Sequence, residues 1–344
     1  MENAILVGTH ALDELRELAT SAGARIIDEM IQHRDRPDPA TFIGKGKVEE
    51  LHEEVILEGV DVVIFDDELS PSQAKNLEEA LDTKVVDRTG LILDIFARRA
   101  RTKEGKLQVE LAQLEYRLTR LTGHREYLSR LGGGIGTRGP GETKLEMDRR
   151  QIRHRISTLK RDIEQIRKHR QLHRERRRRD QLPLVSLVGY TNAGKSTLFR
   201  ALSKENTLVS NRLFSTLDTL IRRIQLGRSL PILISDTVGF IRKLPHQLVS
   251  AFRATLEEVV ESDLILHVID GSDPDHDEKR TVVLNVLEEI GAGNHPMLTV
   301  FNKMDLVPDS ERAVSETVYV SAVTGEGLDR LVDEIVREVN SVRV

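Results

Sequence analysis

The 344-residue chain has no cysteine at all. That excludes disulfides, thiolate metal sites and cysteine nucleophiles, and with them RNA modification through a thiolate; it also suits a reducing compartment. No stretch approaches the roughly 18 uncharged apolar residues that a membrane-spanning helix requires. The N-terminus, MENAILVGTH, lacks a basic start followed by an apolar run and does not read as a secretory signal. Eleven histidines show no metal-ligand spacing, so no zinc site is expected. These absences point to a cytoplasmic chain with no stable membrane insertion; a monomer is expected, and 344 residues are long enough for two or three domains.

Charge is present in both signs but segregated. The formal net charge is −5, yet residues 149–179 hold fourteen Lys/Arg against three acidic residues, a local balance of +11 that leaves −16 for the rest. An acidic body with one basic arm implies a polyanionic partner met by that arm.

Three regions follow from periodicity. Residues 1–103 alternate strand candidates (4–9, 60–67, 83–89) with helix candidates (12–22, 48–58, 70–81), the last opened by a Ser-Pro start, and form a small α/β domain. GKGK at 44–47 reads there as a glycine turn before a helix. Residues 104–180 carry two apolar stripes at four-three spacing: Leu107, Leu111, Leu114, Leu118, Leu121 and Leu128, then Leu145, Ile152, Ile156, Leu159, Ile163 and Ile166. This pattern predicts an antiparallel helical hairpin with a coiled-coil seam. Its loop, residues 131–144, has six glycines and one proline and either moves or moulds onto a partner. Residues 181–344 return to strand–helix alternation, with strands at LPLVSLVG, LPILISD, DLILHVID, MLTVFNK and TVYVSA and a closing helix near 328–340, an order that suits an open doubly wound sheet.

The chemistry lies in that last region. GYTNAGKS (189–196) sits between a strand and a helix and matches the phosphate loop: Gly189 and Gly194 allow the tight backbone, and the amides of Tyr190, Thr191, Asn192, Ala193 and Thr197 lie around the phosphates. Lys195 reaches the β- and γ-phosphates, and Ser196 is a Mg²⁺ ligand. Some forty residues later DTVG supplies Asp236 for Mg²⁺, then Thr237, Val238 and the Gly239 amide for the γ-phosphate. Thr216 in FSTLDT is the expected switch threonine, closing on Mg²⁺ and γ-phosphate, with Thr219 as rival. In NKMD, Asp305 can accept both guanine donors, with Asn302 at the base edge and the Lys303 stem along its face; adenine would leave the carboxylate unpaired. Ser321 and Ala322 place a backbone amide for the guanine carbonyl. Four motifs in this order, each ending a strand, predict GTP as substrate.

Phe240 follows DTVG, where many such enzymes carry the glutamine that orients water. It has no hydrogen-bonding group, and Arg222 and Arg223 read as strand residues rather than as an arginine finger. Asn192 could help hold K⁺ beside the phosphates, neutralising charge as an arginine would; the alternative is an asparagine that only shapes the loop. With Lys195, Thr216, Gly239 and Asn192 as its catalytic set, the site should hydrolyse GTP slowly and gain from a partner.

Over nearly its whole length the chain resembles the HflX family, translation-associated GTPases of the same group as the Obg proteins. The resemblance rests on TFIGKGKVEEL (41–51), DRTGLILDIFARRA (87–100), GGGIGTRGPGETKLE (132–146), GYTNAGKSTLF (189–199), FSTLDT (214–219) and DTVGFIRKLP (236–245). It implies an N-terminal α/β domain with a long antiparallel hairpin followed by a Ras-like P-loop GTPase domain. It further implies binding to the large ribosomal subunit, splitting or rescue of stalled ribosomes under stress, and ribosomal RNA contact by the hairpin and its loop. Basic residues suited to that contact are Arg138, Lys144, Arg149, Arg150 and Arg153. Two alternatives stay open: a switch acting on a protein through its coiled coil, and a factor in large-subunit assembly.

Overall fold

The computed structural model describes the chain apart from residues 35, 132–139, 180–181, 205–212, 215, 218, 227–230, 244–255, 309–316 and 342–344, and apart from the side chains of 122–131, 140–145 and 172–179. It is mixed α/β and divides into two compact units, residues 1–98 with 106–164 and residues 99–105 with 165–344.

In the first unit, β1 (Asn3–Gly8), β2 (Arg25–Ile31), β3 (Val62–Phe65) and β4 (Lys84–Asp87) form a parallel sheet in the order β2-β1-β3-β4. Alternate residues of β1 and β3 are buried on both faces: Ile5, Val7, Val63 and Phe65 join one apolar cluster, while Ala4, Leu6, Val62 and Ile64 are buried too. Helices therefore cover both sides, as parallel sheets require. The helices are α1 (Asp13–Ala22), α2 (Lys45–Glu58), α3 (Pro71–Leu81) and α4 (Arg88–Arg99). Ser70 caps α3 by accepting the Gln73 amide while Gln73 reaches back to the Ser70 amide, and Pro71 opens the first turn, so the Ser-Pro signal does what its chemistry predicts. GKGK does stand at a helix start, with Gly44 as the cap residue of α2. β2 was not anticipated, and the expected strand over 83–89 stops at Asp87. There the Asp87 carboxylate accepts the Gly90 amide at 2.8 Å, an N-cap bond that starts α4.

The hairpin is α5 (Lys103–Leu131) and α6 (Pro140–Arg179). Leu111, Ile156 and Leu159 form its buried seam with Leu107, Leu114, Leu118, Ile152 and Ile163 packed around them; Leu128, Leu145 and most of the glycine-rich loop lie outside the described residues. Arg155 grips Glu110 through two bonds of 2.7 and 2.9 Å, and Lys160 pairs with Glu115 at 2.8 Å. Within the same unit, Tyr116 and Arg120 of α5 donate to Asp87, at 2.6 and 2.7 Å; its carboxylate is 0% exposed and also accepts the Leu69 amide.

In the second unit, β5 (Leu184–Gly189), β6 (Leu220–Gln225), β7 (Pro231–Asp236), β8 (Leu264–Asp270), β9 (Met297–Asn302) and β10 (Val318–Tyr319) give the order β10-β9-β8-β5-β7-β6. Only the β6–β7 pair is antiparallel among the described strands. Helices α7 (Lys195–Ser203), α8 (His276–Glu289) and α9 (Leu328–Ser341) accompany it, and Leu198, Phe199, Leu331 and Ile335 bury against Leu187, Leu266 and Val300. Because β5, β7, β8 and β9 run parallel, the segments that follow them emerge at one edge of the sheet. That edge is where ligands bind in such folds. Among the described residues, no helix is long and apolar enough to cross a membrane.

Candidate active site

The turn from β5 into α7 is shaped by glycine and by a few positive φ angles. A Cβ on Gly189 would strike the Val268 carbonyl, and Gly194 sits at φ +87° where a Cβ would meet the Asn302 amide. Asn192 adopts φ 63°, the left-handed region that asparagine tolerates better than most residues, and its side chain is exposed. Lys195 is buried, and its ammonium donates to the carbonyls of Gly189 at 3.0 Å and Tyr190 at 2.7 Å. Burial pushes the Lys195 pKa down to about 8, with Asp236 opposing the shift.

Three segments meet at one carboxylate. Ser196 Oγ donates to Asp236 Oδ2 at 2.6 Å, Thr216 Oγ1 donates to the same oxygen at 2.9 Å, and the two hydroxyls are 2.8 Å apart. Asp236 Oδ1 is buried with no hydrogen-bond partner. Burial raises the carboxyl above its ordinary range, against the hydrogen bonds from Ser196 and Thr216. Thr219 does not join this group; its hydroxyl is buried and unpartnered elsewhere.

At the other end, Asn302 ties two loops together: its side-chain amide donates to the Ala193 carbonyl and its oxygen accepts the Ala322 amide, both at 3.0 Å. Lys303, at φ 64°, pairs with Asp270 at 2.7 Å. Ser321 is buried behind Asp305, to which it donates. One cleft is lined by Thr191, Asn192, Gly194, Lys195, Ser196, Thr197, Thr216, Thr237, Gly239, Asn302, Lys303, Asp305 and Ala322. Gly189, Tyr190, Ala193, Asp236, Val238 and Ser321 stand outside that lining. Thr237, whose hydroxyl donates to the Leu187 carbonyl, pins the start of the switch turn to β5.

Phe240 is 0% exposed. Its carbonyl accepts the Thr191 amide at 2.7 Å and its amide donates to the Gly189 carbonyl at 3.2 Å, a short parallel bridge that extends the sheet across the phosphate loop. Arg222 and Arg223 lie on β6, as strand residues. Phe214, Leu306 and Val323 also line the cleft and were missed by sequence reasoning. The only signal for them is adjacency to FSTLDT, NKMD and SAV, together with the exposed apolar side chains of Leu306 and Val323.

Of the basic residues expected at RNA, Arg150 and Arg153 are exposed on α6. Arg149 is instead 6% exposed and donates to the Leu121 carbonyl, because it continues the three-four spacing of Ile152 and Ile156 and so faces the seam. Arg138 and Lys144 lie outside the described residues. Arg167 and Arg170 also belong to the basic arm, and each meets a carboxylate, Glu257 at 2.9 Å and Glu104 at 2.7 Å.

Comparison with known proteins agrees with this geometry. Residues 9–97 match a family described as GTP-binding GTPase N-terminal, 99–177 match GTP-binding GTPase Middle Region, and 184–303 match 50S ribosome-binding GTPase. A GTPase HflX of Caldanaerobacter subterraneus subsp. tengcongensis is 54% identical over 98% of this chain and 80% of its own. The GTPase HflX of Escherichia coli K12 is 47% identical over 93% of this chain and 77% of its own. Among solved structures, the complex of SsGBP with GDP superposes with a TM-score of 0.54 at 25% identity over 100% of both chains. A GTP-binding protein of Sulfolobus solfataricus in complex with GDP gives 0.50 at 26% identity, covering 99% of this chain and 100% of the other. Four guanine-nucleotide motifs gathered in one cleft and relatives alike over most of their length lead to the same place: the chain is a GTP-hydrolysing member of the GTPase HflX family.

Proposed function

We propose that this GTPase binds the large ribosomal subunit and uses GTP turnover to separate stalled or idle ribosomes, with hydrolysis slow alone and accelerated by the ribosome. The observation that carries the reading is Phe240: the site gathers Lys195, Ser196, Thr216 and Asp236, yet the residue after the DTVG turn is buried and apolar and cannot orient water. A site complete except for its water-positioning element suits a switch that a partner completes. The description of the 184–303 match as ribosome-binding supports the large subunit as that partner. The exposed Arg150 and Arg153 on a basic helix support contact with RNA phosphates.

In this reading Lys195 holds the β- and γ-phosphates, Gly239 offers its amide to the γ-phosphate, and Asp305 with Asn302 and Ala322 reads guanine. Ser196, Thr216 and Asp236 fit Mg²⁺, since three oxygens from three segments converge and Asp236 Oδ1 is buried without a partner. When bound, the ion neutralises charge on the phosphates. K⁺ beside Asn192 would add to that; equal turnover in K⁺ and Na⁺, with and without partner, would remove it.

The deciding experiment is steady-state GTP hydrolysis in K⁺ buffer with and without purified large subunits, followed by a subunit-splitting assay. Strong stimulation and binding that weakens steeply with salt are expected. Binding that is indifferent to salt and survives nuclease would favour a protein partner at the coiled coil instead, and preference for immature subunits would favour assembly.

A further inference from the structure

We propose that the hydroxyl of Thr191 is a catalytic group of the hydrolysis, occupying the role for which Phe240 has no chemistry. The proposal rests on the cleft being the GTP site and deepens the reading above.

Three observations converge on this side chain. Thr191 lines the cleft but is only 7% exposed, and its Oγ1 is buried with no hydrogen-bond partner. A buried hydroxyl left unsatisfied is uncommon in a folded protein and asks for a ligand. Its position is fixed from both sides: the Thr191 amide donates to the Phe240 carbonyl at 2.7 Å, while a Cβ on Gly239 would lie 2.8 Å from Thr191 Cα, 2.8 Å from its Cγ2 and 3.0 Å from Lys195 Nζ. Thr191, within the phosphate loop, is thus packed against the glycine whose amide is proposed to meet the γ-phosphate. The side chain so placed flanks the position proposed for the terminal phosphate, with Cα and the methyl Cγ2 toward Gly239 and Oγ1 left as the unpartnered atom. A hydroxyl can accept from water and donate to a phosphate oxygen at once, which is what orienting a nucleophile requires. Phe240 itself is fully buried and outside the lining of the cleft, so its side chain takes no part in placing water.

The step is balanced within the known reaction. The water oxygen bonds to the γ-phosphorus as the bond from that phosphorus to the β–γ bridging oxygen breaks, and GDP departs with the electron pair. One water proton remains on the new P–OH, and the other passes to a γ-phosphate oxygen. Thr191 aligns the water and keeps its own proton.

The test compares Thr191→Val, which keeps shape but loses the hydroxyl, with Thr191→Ser and Thr191→Ala. Single-turnover hydrolysis at saturating GTP, affinity for a fluorescent GDP analogue, capture of aluminium fluoride with GDP, and thermal midpoint are measured for each full-length protein. Thr191→Val and Thr191→Ala should lose about 10- to 100-fold in rate and weaken aluminium fluoride capture in parallel, with GDP affinity within about threefold of wild type. Thr191→Ser should keep most of the rate. Thr191→Val turning over like wild type, Thr191→Ser as slow as Thr191→Val, or loss of GDP affinity in step with rate would each overturn the proposal. If wild type hydrolyses GTP but ignores large subunits, the ribosome reading fails while the Thr191 contrast is still read on the basal rate.

Discussion

Ser321 donates its hydroxyl to the carboxylate of Asp305 across 2.6 Å, so the loop that follows β10 sets the orientation of the acceptor proposed to read guanine. Asp305→Asn replaces one acceptor oxygen by an amide donor. GTP affinity should then fall by about 100-fold, while xanthosine triphosphate, which offers a carbonyl where guanine has its amine, should gain. Titration with fluorescent analogues of both nucleotides checks this; unchanged GTP affinity would place base recognition elsewhere.

Burial, which disfavours the charged form, lowers the Lys195 pKa to about 8. A polyphosphate brings negative charge to the ammonium and should return the pKa toward the ordinary lysine range. Above pH 8 the free enzyme is largely neutral at this position and the complex is charged, so nucleotide binding takes up a proton. Calorimetry at pH 8.5 in buffers of different ionisation enthalpy should report uptake of a substantial fraction of a proton, absent from Lys195→Met.

His267 is 1% exposed in β8, its Nδ1 has no partner, and burial, then Arg280 and Lys195, push its pKa down to about 4. The folded state therefore binds a proton less readily than the unfolded chain. Stability from this group is present above pH 6.5 and is lost as the pH falls toward 4. Between pH 7 and 5 the loss should be about 2 kcal/mol. Urea unfolding of His267→Leu should show that much less pH dependence than wild type; parallel curves would contradict it.

In the N-terminal unit the Asp87 carboxylate accepts from Leu69, Gly90, Tyr116 and Arg120. Asp87→Ala leaves four donors without their acceptor and should destabilise that unit by about 3–5 kcal/mol. Tyr116→Phe removes one hydrogen bond and should cost about 1 kcal/mol. Denaturant midpoints followed by circular dichroism distinguish the two.

What could be read beforehand and what could not have physical causes. The phosphate loop, DTVG, NKMD and SAV are contiguous runs whose backbone shape is dictated by their own glycines and polar residues, and they meet in one cleft because parallel strands deliver them to one edge. The hairpin was legible because its spacing repeats over many turns. β2 was hidden because RIIDEMI is an edge strand whose exposed and half-buried positions give no clean alternation. Two threonines three residues apart fit the switch role equally well in FSTLDT, and only the fold brings Thr216 rather than Thr219 to Ser196. The burial of Arg149 follows from its spacing to Ile152 and Ile156, a signal that the surrounding run of arginines masks.

Asp87 also has a mechanical consequence. Among the described residues its contacts on α5 end at Arg120, and the helix continues for eleven residues to Leu131. At 1.5 Å per residue that stretch is about 16 Å long. A single carboxylate thus joins α5 to the end of β4, the first turn of α4 and the Leu69 backbone, so the ionisation of one side chain governs how four segments are held together.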